Sequence, residues 1–341
     1  MKTYDLRSDT VTLPSREMRK VMAKADVGDD VYNEDPTINR LEEMAAKITG
    51  KKEGLFIPSG SMGNLIPLYI NGGRGNEVLA QMNSHIFHYE LASAAAIAGV
   101  MPVAVKGERG IMRTEELEKH LRPQSYVMPR VTMVEIENTH NREGGTCYSY
   151  DQIKSVSDFA RKHDLSLHMD GARMFNASVA TGVPVKRMCS LVDTVTFCLS
   201  KGLGAPVGSV LCGTSKFITE ARRIRKMLGG GMRQAGIIAA AGIYALEHNI
   251  ERLKEDHDNA KRIAETLSGL DWANIDMKNV ETNIIYFDTP AHPAEQITAQ
   301  LKKKGVLCSA FGDRAIRMVT HLGITGQDVD EICRLLREVK V

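Results

Sequence analysis

The feature that most constrains this chain is a train of short apolar, β-branched runs separated by helix-like segments. The runs are GLFIPS (54–59), EVLAQM (77–82), MPVAVK (101–106), VTMVEIEN (131–138), LSLHMD (165–170), DTVTFCLS (193–200) and SVLCGT (209–214). Between several of them lie segments such as TEELEKHL (114–121) and YDQIKSVSDFARKHD (150–164). Continuous apolar strands alternating with helices predict βαβ units and a mostly parallel sheet, an α/β fold. A long helical region follows at roughly 215–267. Beyond Gly269 the pattern changes to ETNIIYFDT, the helix AEQITAQLKKKG, VLCSAF, AIRMVTH and a final helix DVDEICRLLREV, a small α+β module. The expected division is a large unit over 1–250, including the N-terminal segment, and a small one over 251–341. A length of 341 residues is ample for both.

Composition removes several function classes. The formal net charge is only +2 and no basic run stands out, so nucleic acid is not an expected partner. The six cysteines form no CxxC pair, which reads as reduced thiols of a cytoplasmic protein and offers no metal site. The N-terminus MKTYDLRSDTVT has no apolar core of a secretory signal. The longest apolar stretch, AGIIAAAGIYAL (235–246), is far short of the ~20 residues of a membrane span and reads as a helix packed closely on a neighbour.

Chemistry-bearing residues cluster where strands end, and open α/β sheets bind ligands beyond the carboxyl ends of their strands. Lys201 follows the run ending at Leu199 and opens a glycine-rich turn. Alone it is a solvated turn residue or a reactive amine, and lysine is seldom buried without a reason. Asp170 ends LHMD and is followed by Gly171 and Arg173; it either caps the next helix or holds a cationic ring nitrogen. The two lie about one βαβ repeat apart, so adjacent strands would face both into one pocket. IPSGSMGN (57–64) runs from a strand through Ser59, Gly60 and Ser61 into a helix start. Alone this is an ordinary capped terminus; its amides and hydroxyls also suit a phosphate. A phosphate cradle, an acid for a pyridinium and an amine able to form a Schiff base are the protein parts that pyridoxal phosphate requires. His85, in SHIFHYE, is either an ordinary histidine or a residue that stacks on a flat ring or accepts a proton. Arg233, in GGGMRQAG, is either a surface arginine or a ligand on a flexible turn.

Together these segments resemble the low-specificity L-threonine aldolases, of the aspartate-aminotransferase-like (fold type I) class of pyridoxal-phosphate enzymes. The resemblance is carried by DLRSDTVTLP (5–14), GDDVYNEDPTINRLE (28–42), FIPSGSMGN, SHIFHYE, IENTHN (136–141), HMDGARMFNA (168–177), CLSKGLGAPVGS (198–209), KMLGGGMRQAG (226–236) and IRMVTH (316–321), in one order along nearly the whole chain. It implies Lys201 as the Schiff-base lysine, Asp170 as the pyridinium partner and His85 stacked over the ring, these three being the catalytic set. It implies Ser59, Gly60, Ser61, Ser200 and Arg173 on the cofactor, with Lys226 and Arg233 reaching a neighbour's phosphate. It implies Ser8, Arg173 and Arg317 around the substrate carboxylate and Tyr32 entering from a partner subunit. The implied assembly is a homotetramer of tight dimers. The implied reaction is cleavage of a β-hydroxy-α-amino acid to glycine and an aldehyde, with His85 as the base; a β-eliminating lyase is the alternative. Two positions depart from the family pattern: Val127 stands where a histidine near the substrate hydroxyl is usual, and Asn33 where glycine is more familiar.

Overall fold

The fold is that of a computed structural model describing residues 2–340. Its twelve strands are β1 (Tyr4–Asp5), β2 (Glu53–Ile57), β3 (Glu77–Gln81), β4 (Met101–Val105), β5 (Val131–Glu137), β6 (Ser166–Asp170), β7 (Thr194–Cys198), β8 (Ser209–Gly213), β9 (Ile284–Asp288), β10 (Val306–Leu307), β11 (Ser309–Ala310) and β12 (Ala315–Val319). Seven of them form the central sheet in the order β2-β8-β7-β6-β5-β3-β4. The apolar runs predicted each of these seven to within a residue or two. β7, β6, β5, β3 and β4 pair in parallel, whereas β8 is antiparallel to both β2 and β7. The reason is the connection. Parallel neighbours need a crossover, while β7 reaches β8 through residues 199–208 alone, a turn that sends the chain straight back. Gly204 and Gly208 adopt φ of +77° and +104° there, a region that L side chains rarely enter.

The sheet is covered on both faces except at its edge strand β4, and its inner strands are nearly continuous apolar residues because neither of their faces meets water. The helical region at 215–267 is three helices, Ser215–Met227, Gly236–His248 and Leu253–Leu267. The middle one packs as its composition predicts: a Cβ on Gly242 would meet Leu199 at 2.8 Å and Leu41 at 3.1 Å.

A second core surrounds the antiparallel sheet β11-β12-β9 and the helices Ala294–Lys303 and Gly326–Arg337. Helix Leu253–Leu267 joins the two cores: Leu253 packs in the first, Ala260, Ile263, Ala264 and Leu267 in the second. The N-terminal strand also joins the second core, through Tyr4 and Leu6, because β1 pairs with β10. The segment that follows therefore crosses from one core to the other, past the carboxyl ends of the central strands. All six cysteines are free thiols. Among the described residues no helix is long and apolar enough to cross a membrane.

Candidate active site

β6 and β7 are adjacent and parallel, with Asp170 opposite Thr196, so Asp170 and Lys201 leave the sheet at the same end. Lys201 is half-buried at the start of the β7–β8 turn. Its carbonyl accepts bonds from Gly204 N (2.8 Å) and Thr12 Oγ1 (3.3 Å), and Asn249 Nδ2 holds the Leu203 carbonyl at 2.7 Å. The turn is thus fastened from both sides. The Lys201 charge acts on two buried carboxylates, Asp9 and Asp170.

Asp170 is buried. Its Oδ1 accepts from Ala172 N at 3.0 Å and its Oδ2 from Asn64 Nδ2 at 2.7 Å. Burial pushes this carboxyl upward, but the charges of His85 and Lys201 and the bonds from Asn64 and Ala172 outweigh it and hold the group below its ordinary value. Asp170 is therefore an anion in a dry place; its bond to Ala172 N closes the turn after β6, and the helix Met174–Thr181 starts at Arg173 with no side-chain cap.

Ser59 caps the helix Gly60–Pro67 by accepting from Met62 N at 3.2 Å. The first-turn amides of Gly60 and Ser61 point out of the helix end, free of intrahelical partners. This helix lies directly on β7: a Cβ on Gly63 would meet Thr196 Cγ2 at 2.3 Å, and one on Gly60 would meet Cys198 Sγ at 2.9 Å. Glycine at both positions lets the helix start close on the end of β7, at Cys198, just before Ser200 and Lys201 in the chain.

His85 opens the short helix His85–His88 after β3, its amide donating to Glu137 Oε2 at 2.8 Å. Its Nδ1 lies 2.7 Å from Glu90 Oε1. One ring nitrogen of His85 and one carboxylate oxygen each of Glu90 and Asp170 all fall within 4.8 Å of one another. The site's two other cations have different surroundings. Arg173 is buried and spends Nε and Nη2 on Asp9, at 2.8 and 2.7 Å. Arg317 donates from Nη1 to Asn141 Oδ1 at 2.6 Å and from Nη2 to the Arg7 carbonyl at 3.1 Å, while its buried Nε has no partner among the described residues. Burial and then the Arg173 charge push Arg317 down to about 10. Among the described residues no carboxylate forms an ion pair with this guanidinium, the charge of Asp9 acting on it only from a distance. Beside it stands an aromatic wall: Arg317 lies 4.9 Å from the Phe311 ring centre, Phe311 6.5 Å from Tyr89, and Tyr89 5.2 Å from the His85 ring.

The structure does not bring every expected residue here. Ser8 does come close: it follows Arg7, whose carbonyl Arg317 holds at 3.1 Å, and its Oγ caps the turn Asp9–Val11 by accepting from Thr10 N at 3.2 Å. Tyr32 is 71% exposed, Lys226 is exposed, and Arg233 pairs on the surface with Asp29 at 2.9 Å. Val127 is exposed in the segment entering β5, at the opposite end of the sheet, so its own chain does not place it near Lys201. Asn33 has φ of 60°, in the left-handed region where glycine is at ease and asparagine is the common substitute, which explains that departure. Sequence reasoning missed Asn64, Glu90, Asp9 and Asn141, although all four sit inside the quoted segments.

The donor set fits pyridoxal phosphate: an ionised buried acid, a lysine at the neighbouring strand end, unpaired helix-start amides with two hydroxyls, and a histidine beside the acid. With the seven-stranded sheet it defines an enzyme of the fold type I pyridoxal-phosphate class. The family model described as beta-eliminating lyase matches residues 5–290. A low-specificity L-threonine aldolase 1 from Arabidopsis thaliana is 44% identical, over 96% of this chain and 94% of its own. The low specificity L-threonine aldolase of Escherichia coli (strain K12) is 40% identical, over 96% of each chain. A Leishmania major threonine aldolase structure shares the fold with a TM-score of 0.84 at 18% identity, over 98% of each chain. The chain belongs to the beta-eliminating lyase family, among the low-specificity L-threonine aldolases.

Proposed function

We propose that this chain is a pyridoxal-phosphate-dependent carbon–carbon lyase that cleaves L-threonine, L-allo-threonine and related β-hydroxy-α-amino acids to glycine and an aldehyde. The observation that carries the reading is Arg317, a buried guanidinium with a free Nε, set across an aromatic wall from His85. A carboxylate on Arg317 places the rest of a small amino acid between that anchor, His85 and the Asp170–Lys201 pair.

Lys201 would hold the cofactor and Asp170 its ring nitrogen, with Ser59, Gly60, Ser61 and Ser200 at the phosphate. When bound, the cofactor supplies an electron sink for the pair left on Cα. Arg317 binds the substrate carboxylate, and Arg173, anchored by Asp9, reaches the same Asn141 from behind. That grip fixes the Cα–Cβ bond in the orientation for cleavage. His85 takes the β-hydroxyl proton as the Cα–Cβ bond breaks and the hydroxyl-bearing carbon leaves as aldehyde. A proton then returns to Cα, giving glycine. General-base help of this kind is worth typically ~10²–10⁴-fold.

The working form is a cytoplasmic homotetramer of tight dimers with shared sites, contributing to glycine formation. Tyr32, Lys226 and Arg233, all exposed in one chain, would meet a neighbour's site. Arg233 and Lys226 would there supply the positive charge that the SGS loop lacks.

The alternative within the same family is β-elimination, which gives a 2-oxo acid and ammonia. Product analysis with L-threonine separates the two. Glycine and acetaldehyde in equal amounts support the aldol reading; 2-oxobutanoate and ammonia overturn it.

A further inference from the structure

We infer that Glu90 and Asn64 are positioning residues that fix Nε2 of His85 as the atom taking the substrate's proton and tie it to the charge state of Asp170. This rests on the reading of His85 as the base and deepens it.

The geometry is a chain of four side chains. His85 Nδ1 lies 2.7 Å from Glu90 Oε1, Asn64 Nδ2 donates to that same oxygen at 2.9 Å, and Asn64 Nδ2 also donates to Asp170 Oδ2 at 2.7 Å. The Asn64 oxygen faces His168 Nε2 at 3.4 Å, and His168 Nδ1 faces Thr194 Oγ1 at 2.9 Å. An amide NH₂ only donates, so both carboxylate oxygens it touches act as acceptors. One amide thus donates to two buried carboxyl groups; burial, with the Asp170 charge, raises Glu90 above its ordinary value, and the bonds from His85 and Asn64 act against that rise. With Glu90 Oε1 accepting, the His85 proton sits on Nδ1 and the lone pair on Nε2. The other oxygen of Glu90 is buried and without a partner among the described residues, so this side chain's bonding is concentrated on His85 and Asn64.

The groups facing His85 are Glu90 on its own loop, Asp170 on β6, Glu137 on β5 and the ring of Tyr89. Burial lowers His85, but the bond to Glu90 and the charges of Asp170, Glu90 and Glu137 outweigh it and raise it above its ordinary value. A base so tuned is active as pH rises through its own value. Glu90 then stabilises the imidazolium that forms when Nε2 takes the hydroxyl proton. Asn64 and Glu90 touch neither substrate nor cofactor in this scheme; they act through His85 and Asp170.

The test uses the holoenzyme and histidine C2 hydrogen–deuterium exchange read by mass spectrometry, which gives a protonation midpoint for each histidine. Wild-type His85 should have a midpoint above ~6.5. Glu90→Gln should lower it by about one unit or more, since an opposite charge at hydrogen-bond distance is worth that much. The acid limb of the kcat profile should move to lower pH by the same amount. At the optimum kcat should fall about tenfold or more while KM changes far less. Glu90→Asp should restore part of the midpoint. A midpoint unmoved in Glu90→Gln overturns the pair's role, and so does a wild-type midpoint below the ordinary value, which needs no variant to fold. Full turnover in His85→Asn overturns the base reading itself, a result distinct from either.

Discussion

Arg173 grips Asp9 with two parallel hydrogen bonds, Nε to Oδ2 at 2.8 Å and Nη2 to Oδ1 at 2.7 Å, and both side chains are buried. Asp9 comes from the N-terminal segment and Arg173 from the turn after β6, so the pair pins that segment over the carboxyl ends of the central strands. Asn283 Nδ2, just before β9, also reaches Asp9 Oδ2 at 3.3 Å. Burial raises Asp9, but the Arg173 charge and bonds, with help from Lys201 and Asn283, hold it well below the carboxylate range. Its stabilising contribution is thus complete above the ordinary carboxylate pKa of ~4 and declines as pH falls below that. Asp9→Asn should cost about 3–5 kcal/mol at neutral pH, because it leaves a buried guanidinium uncompensated. Urea midpoints at pH 7 and about pH 2.5 check this: the gap between wild type and variant should narrow at the lower pH, below the unfolded carboxylate value of ~4. Equal midpoints at pH 7 would show that the pair carries no net stability.

Asp170→Asn should keep some cofactor and lose most turnover, on the order of 10²–10³-fold. The amide can still accept from Ala172 but cannot hold a proton on the ring nitrogen. The measurement is kcat at saturating cofactor, with bound cofactor read from the spectrum. Near-normal turnover would reduce Asp170 to the turn-closing role that its 3.0 Å bond from Ala172 N already gives it.

Arg317→Gln should raise KM for L-threonine by roughly 10–100-fold, the value of about 1.5–3 kcal/mol for a hydrogen bond to a charged group. The expected change in kcat is smaller. Steady-state kinetics decide it. A KM within a factor of two of wild type would place the carboxylate elsewhere, with Arg173 next in line.

Arg233→Ala and Lys201→Ala should each be inactive, yet regain activity when co-assembled. One site of the hybrid then holds an intact Lys201 from one chain and an intact Arg233 from the other. Contacts of this charge-assisted kind are about twice as strong as neutral ones. The expected recovery is a substantial fraction of wild-type activity in hybrids confirmed by native mass spectrometry. No recovery would leave Arg233 serving its own chain, where it now pairs with Asp29 at 2.9 Å.

The strands of this fold were legible because a doubly covered sheet needs unbroken apolar runs, and Leu55, Val78, Val134, Leu167 and Val195 supply them. The order was less so. Nothing in the pattern of SVLCGT says that β8 inserts between β2 and β7; the missing helix between Lys201 and Ser209 was the available cue. Asp170 and Lys201 were legible because strand ends can be read from the runs. Asn64 and Asp9 were not, because each works through a partner distant in sequence, Asp170 and Arg173; nor was Glu90, which meets His85 only because the loop between them folds back. Tyr4 and Leu6 pack with the C-terminal core through a two-residue strand too short to show any periodicity.

The central claim is that Lys201 and Asp170 face one pocket in which the lysine bonds the cofactor. Borohydride reduction of the yellow holoenzyme, followed by peptide mapping, tests it most directly. The expected result is a pyridoxyl mass on the peptide containing Lys201, absent from the Lys201→Ala protein along with the yellow colour and the turnover. A pyridoxyl mass on another lysine of the wild-type chain, or the bound chromophore surviving in Lys201→Ala, would contradict it.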